Sequence, residues 1–142
     1  MSAVSSPRTF FDTNILVYAD DGAEPVKQRK ALDLIKDQRR RRTGVASIQV
    51  LQEYFNTAIR KLGMDAAIVR RKIEFLARFD VVETNVSDVL AAIDLHRLHQ
   101  LSFWDALVIQ SARKAGCRVL LSEDLQHGQT IDGVRVVNPF LP

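Results

Sequence analysis

With 142 residues, 46% hydrophobic and 26% charged, the chain has the size and balance of one domain around a real core, which excludes a disordered tract and a fibrous repeat. A net charge of +3 permits an acidic partner such as nucleic acid without requiring one. No stretch approaches the ~18 uninterrupted apolar residues of a membrane span, and Met1 to Pro7 lacks the apolar core of a signal peptide, so a cytoplasmic protein is expected. The single Cys117 has no internal disulfide partner and reads as a buried, inert thiol beside an apolar strand.

In chain order, Thr9 to Phe11 reads as a strand and Asn14 to Ala19 as a short helix. A second helix follows Pro25, with Val26, Ala31, Leu34 and Ile35 as its apolar stripe, and ends in Arg39 to Arg42 before a strand at Thr43 to Ala46. Ser47 opens a helix with Ile48, Leu51, Phe55, Ile59 and Leu62 on one side, stopped by Gly63. Asp65 to Phe79 is the next helix, Val81 to Glu83 a strand, and Ser87 to His99 a helix. Phe103 to Ala115 forms a helix closed by Gly116, Arg118 to Leu121 a strand, and Val134 to Val137 a last strand before Asn138-Pro139. Strands alternating with helices predict an α/β fold: a single three-layer domain over residues 1–142, with a mainly parallel sheet flanked by helices.

Open parallel sheets bind ligands at the carboxyl ends of their strands, so acids just past those ends are the ones that can converge. Asp12 follows the first strand and stands between two apolar runs, where an ionised carboxylate loses water and needs something in its place. Glu53 lies on the helix leaving the second strand, Asp105 in the first turn of the "SFWDALVIQSA" helix, and Asp124 after the strand "RVLLS". Taken singly, each has a structural alternative. Asp12 suits a helix N-cap, Glu53 an exposed helix position, Asp105 a capping box with Ser102, and Asp124 a solvated turn beside Glu123. Taken together they lie at one edge of the sheet, where mutual repulsion calls for a multivalent cation, and oxygen ligands alone suit Mg²⁺ or Mn²⁺ rather than zinc. A rival zinc pair, His96 and His99, stands three apart on one helix without an evident third ligand, and His127 reads as a loop residue without a role.

The segments "FFDTNILVYA", "VLQEYFN", "SFWDALVIQSA" and "LLSEDLQHGQTIDGVRVVNPF" resemble, in this order and over nearly the whole chain, the PIN-domain family, in particular the VapC-type toxin ribonucleases of bacterial toxin–antitoxin pairs. That resemblance implies a Mg²⁺- or Mn²⁺-dependent endoribonuclease in which Asp12, Glu53 and Asp105 hold metal and activate water, with Asp124 as the fourth acid and Glu123 in reserve. It also implies supporting roles for Asn14 and Ser122, an RNA substrate and a small antitoxin partner. The apolar residues of the helices Ser47 to Leu62 and Asp65 to Phe79, including Ile68, Ile73 and Phe75, exceed what one side of a sheet covers, which fits either the antitoxin or a homodimer.

Arg39 to Arg42 suits a helix C-terminus as well as an RNA phosphate contact, and Trp104, flanked by Phe103, Ala106 and Leu107, reads as core rather than as a base-stacking surface. Three other functions compete. A DNA nuclease or housekeeping RNA-processing nuclease shares the fold; a phospho-acceptor domain would use Asp20-Asp21 but lacks a Lys after "RVLLS"; a silent binding module needs no clustered acids.

Overall fold

A computed structural model describes residues 6–142. Met1 to Ser5, and with them most of the segment read as lacking a signal-peptide core, lie outside the described residues. In chain order the elements are β1 (Thr9–Phe11), α1 (Thr13–Tyr18), α2 (Pro25–Arg41), β2 (Gly44–Ser47), α3 (Ile48–Arg60) and α4 (Ala66–Leu76). They continue with β3 (Asp80–Val82), α5 (Val86–His99), α6 (Phe103–Lys114), β4 (Val119–Leu121), β5 (Thr130–Ile131) and β6 (Val134–Val137).

One sheet takes in all six strands, in the order β3-β2-β1-β4-β6-β5. The pairs β2–β3, β1–β2, β1–β4 and β4–β6 are parallel, and only the hairpin partner β5 runs antiparallel to β6. From β1 the chain steps outward to β2 and β3, then returns across the sheet to β4 on the other side of β1. With right-handed crossovers, this reversal puts the two sets of helices on opposite faces. In agreement, α1 to α4 contact one another and α5 packs along α6, giving the three-layer α/β fold that the alternation predicts. The strands β1 and β4 are where the order reverses, and their carboxyl ends open the crevice in which such sheets bind ligands.

The core explains the helix order. α6 is covered all round, with Ala106 through Ala112 buried without a break, whereas its first turn emerges at the edge of the sheet. Cys117 is buried as expected, and burial pushes its thiol pKa up to about 12. No described helix is long and apolar enough to cross a membrane.

Most bounds shift by a residue or two, and three differences have a cause in view. β2 starts at Gly44 rather than Thr43, where a Cβ would lie 2.7 Å from the Phe79 ring, so only glycine lets that ring close over the strand. α4 stops at Leu76, three residues early, because Ala77 and Arg78 turn the chain into β3. β5 was not foreseen: Asp132 and Gly133, both at positive φ (49° and 82°), make the two-residue turn that folds Thr130–Ile131 back on β6.

Candidate active site

Asp12 follows the three-residue strand β1 at its carboxyl end and is only 5% exposed. It is the N-cap of α1, accepting from the Thr13 N–H at 2.8 Å, and its second oxygen accepts from the Ser122 hydroxyl at 2.7 Å and from the Asn14 amide at 3.3 Å. The predicted cap is thus found, on a residue that also lines the cleft. Burial pushes its pKa up to about 6 against the pull of the Ser122 and Thr13 hydrogen bonds, and repulsion by Asp124 and Asp105 adds to the rise.

Asn14 is the cross-brace between the first and fourth strand ends. Its amide nitrogen reaches Asp12, the Ser122 hydroxyl at 3.4 Å and Asp124 at 3.2 Å, while its carbonyl oxygen accepts from the Glu123 N–H at 3.1 Å. Ser122, fully buried, also accepts from the Asp124 N–H.

The pair Glu123 and Asp124 separates cleanly. Burial works to raise the Glu123 pKa, yet the Lys27 ammonium at 2.6 Å and the Tyr18 hydroxyl at 2.6 Å outweigh it and hold the carboxyl below its usual value. Its charge is already matched. Among the described residues the Asp124 carboxylate accepts only from the Asn14 amide, and its charge acts on Asp12.

Asp105 sits at N3 of α6. The Ser102 hydroxyl accepts from its N–H at 3.1 Å, but the return bond of a capping box is absent. The contrast lies on α5, where Asn85 and Asp88 make both bonds of the box. Among the described residues the Asp105 carboxylate accepts no hydrogen bond, and it faces the cleft half-buried. Glu53 comes from the opposite wall, on α3, held by the Thr13 hydroxyl at 2.9 Å.

Asp12, Glu53, Asp105 and Asp124 all line one cleft of about 460 Å³ at the switch point of the sheet. Among the described residues, however, no three His, Cys, Asp or Glu side chains are grouped to hold one ion. The acids line one cleft without forming a ready cage, and separate donors anchor three of them: Ser122 for Asp12, Thr13 for Glu53 and Asn14 for Asp124. The donor set fits a hard cation, since it is oxygen only, with neither Cys nor His lining the cleft.

Other candidates resolve otherwise. His96 uses its Nδ1, at 2.5 Å, on the Leu101 carbonyl beyond the end of α5, and His127 accepts from the Asn138 N–H, tying the β4–β5 loop to the tail. Asp20 accepts from Tyr54 and Lys72, and Asp21 from the Ala23 N–H, so that pair braces helices rather than presenting a phospho-acceptor. Arg39 to Arg42 precede β2, at the sheet edge opposite the acids, which removes them from any phosphate bound in the cleft. Trp104 corrects the expectation of a core residue: it is 60% exposed and forms part of the cleft wall, because the buried course of α6 begins only at Ala106. Thr13, Gln49 and Lys61 were not singled out from sequence; all line the cleft, and only the α3 spacing from Glu53 could have pointed to the last two.

The sequence matches the PIN domain model over residues 9–130, and the chain belongs to that family. No curated protein matches it. Its fold is similar to the crystal structure of Mycobacterium tuberculosis VapC20, a sarcin–ricin loop cleaving toxin, at 21% identity and a TM-score of 0.68 over 82% of this chain and 89% of that one. A toxin–antitoxin complex from Klebsiella pneumoniae is similar at 20% identity and a TM-score of 0.70, over 93% and 98% of the two chains. DNA-bound VapBC from Salmonella typhimurium follows at 18% identity and a TM-score of 0.59, over 92% and 97%. At these identities the likeness is one of fold.

Proposed function

We propose that this PIN-domain protein is a Mg²⁺- or Mn²⁺-dependent endoribonuclease, the toxin of a type II toxin–antitoxin pair, acting on RNA in the cytoplasm. The observation that carries the reading is Asp12: a buried carboxylate whose charge is opposed by burial and by two neighbouring acids, in a cleft whose ligands are all oxygen. A cation relieves that opposition. When bound, Mg²⁺ or Mn²⁺ supplies neutralisation of phosphate charge and lowers the pKa of water.

The chain's own residues supply the rest. Asp12, Asp105 and Asp124 would supply oxygen ligands to the cation; Ser122, Thr13 and Asn14 fix the planes of the Asp12 and Asp124 carboxylates by hydrogen bonds. Glu53 faces them across the cleft with one oxygen on the Thr13 hydroxyl and the other free to orient an attacking water and take its proton. Glu123, matched by Lys27, holds the shape of the fourth strand end and stays outside the ligand set.

The antitoxin places apolar side chains on α4, where Ile68 is 47% exposed and a cavity of about 100 Å³ opens between Leu32, Ile35, Phe75 and Leu76. A second copy uses α5 instead, whose Val86, Leu90, Ile93 and Leu98 are exposed on a helix not singled out for this from sequence. Cleavage of RNA by the purified protein with Mg²⁺ or Mn²⁺, lost in EDTA and in Asp12→Asn, tests the reading. Full activity under either condition contradicts it.

A further inference from the structure

Trp104 is the only tryptophan of the chain, and its ring is the largest apolar surface left exposed beside the acids. An exposed indole costs solvation that a core position would have relieved, and here its place is held from both sides. Phe103 packs edge-on against the ring at 5.1 Å, and the Gln49 amide donates to the Trp104 carbonyl at 3.3 Å. Gln49 Oε1, buried in the same wall, has no hydrogen-bond partner among the described residues, which leaves an acceptor beside Trp104. From Gln49 the polar face of α3 runs along the cleft through Glu53 and Asn56 to Lys61, a distance of about 18 Å at 1.5 Å per residue. Lys61 is exposed and makes no ion pair among the described residues, acting on Glu123 only through its field, whereas Lys27, the other lysine nearby, is bonded to Glu123.

An aromatic platform at one end of the cleft, acids in the middle and a free cation at the far end make a track for an unpaired strand. We infer that Trp104 stacks on a nucleobase of single-stranded RNA next to the bond that is cut, and that Lys61 holds a backbone phosphate at the other end of the same track. The inference rests on the nuclease reading for its substrate and adds two things: the side chains that grip the strand at each end, and its course along α3. Duplex RNA is excluded from the platform because its bases are already stacked.

Trp104 fluorescence reports the contact directly. The Asp12→Asn protein with Mg²⁺ is titrated with a short mixed-sequence RNA, single-stranded or annealed to its complement. Cleavage kinetics are followed for the otherwise wild-type Trp104→Leu, Trp104→Phe and Lys61→Met. Single-stranded RNA is expected to quench the emission and the duplex to leave it nearly unchanged. Trp104→Leu should raise KM about fivefold or more, with kcat within about twofold, and Trp104→Phe should recover most of the loss. Lys61→Met should flatten the dependence of log KM on log salt by about 0.7. Quenching without any cleavage by the wild-type protein would support the platform and defeat the nuclease reading. Cleavage by the wild-type protein with no quenching and an unchanged KM in Trp104→Leu would defeat the platform and leave the nuclease intact. Emission that follows protein concentration and ignores RNA would assign Trp104 to an interface between copies and overturn the inference.

Discussion

At Asp105 a cap and a ligand make opposite forecasts for one atom exchange. A capping carboxylate is stabilising, and Asn in its place costs about 0.5 to 1 kcal/mol while catalysis is spared. The absent return bond removes the hydrogen-bond part of that contribution here, and repulsion from Asp12 opposes what the helix dipole leaves. Asp105→Asn should therefore leave the metal-free protein as stable as before or more so, and abolish RNA cleavage; urea denaturation in EDTA and a cleavage assay on the same variant measure both. Asp12 adds a pH signature. Its pKa is about 6 in the fold against 3.8 in the unfolded chain, so the stability it contributes is full below about pH 4 and is lost as pH rises through 6. The loss is of the order of 3 kcal/mol in the metal-free protein. Asp12→Asn keeps an oxygen for the Thr13 N–H and should flatten this dependence, measured as the difference between the two proteins from pH 4 to 7. The need of Asp12 for a partner was legible from the apolar runs on either side of it, and the structure adds the donors. The exposure of Trp104 was not legible, because its apolar neighbours Phe103, Ala106 and Leu107 look the same whether a helix begins inside the core or three residues before it.

The elements depend on one clamp away from the cleft. Asp88, 4% exposed at N3 of α5, closes the capping box with Asn85 and accepts from Gln110 at 3.0 Å and from Lys114 at 2.7 Å, both on α6. The Lys114 ammonium and the Asn85 N–H hold its carboxyl down to about 2. Asp88→Ala should cost about 2 kcal/mol or more through the lost cap and the lost bonds to α6, seen as a lower urea midpoint with cleavage per folded molecule unchanged. Its contribution is present above about pH 4 and is lost as pH falls toward 2, the opposite window from Asp12. Helices and strands were legible to within one to three residues wherever a period of 3.6 or an apolar run marked them. β5 was not: its two residues carry no period, and the Asp132-Gly133 turn that makes it was the available signal.

For the whole molecule, what sequence order could not supply is the reversal at β1. The alternation of elements fixes a parallel α/β class, but only the pairing of β1 with both β2 and β4 brings Asp12 beside Asp124, 112 positions later in the sequence. On the proposed reading, gathering like charges there couples the stability of the fold to a divalent cation. Mn²⁺ at ~100 times its dissociation constant should add about 2.7 kcal/mol, a rise of roughly 8 °C in melting temperature for a domain of this size, and Asp12→Asn should lose most of that rise.

The central claim is that water, prepared by carboxylates and a divalent cation, attacks the RNA phosphorus. The most direct measurement is the chemistry of the cut ends, taken from one RNA incubated with the purified protein and Mn²⁺. Attack by water involves no 2′-hydroxyl, so each cut should leave one hydroxyl end and one phosphomonoester end, with no cyclic phosphate and no products in EDTA. Ends carrying a 2′,3′-cyclic phosphate, formed equally well in EDTA, would show that the ribose itself is the nucleophile and contradict the account.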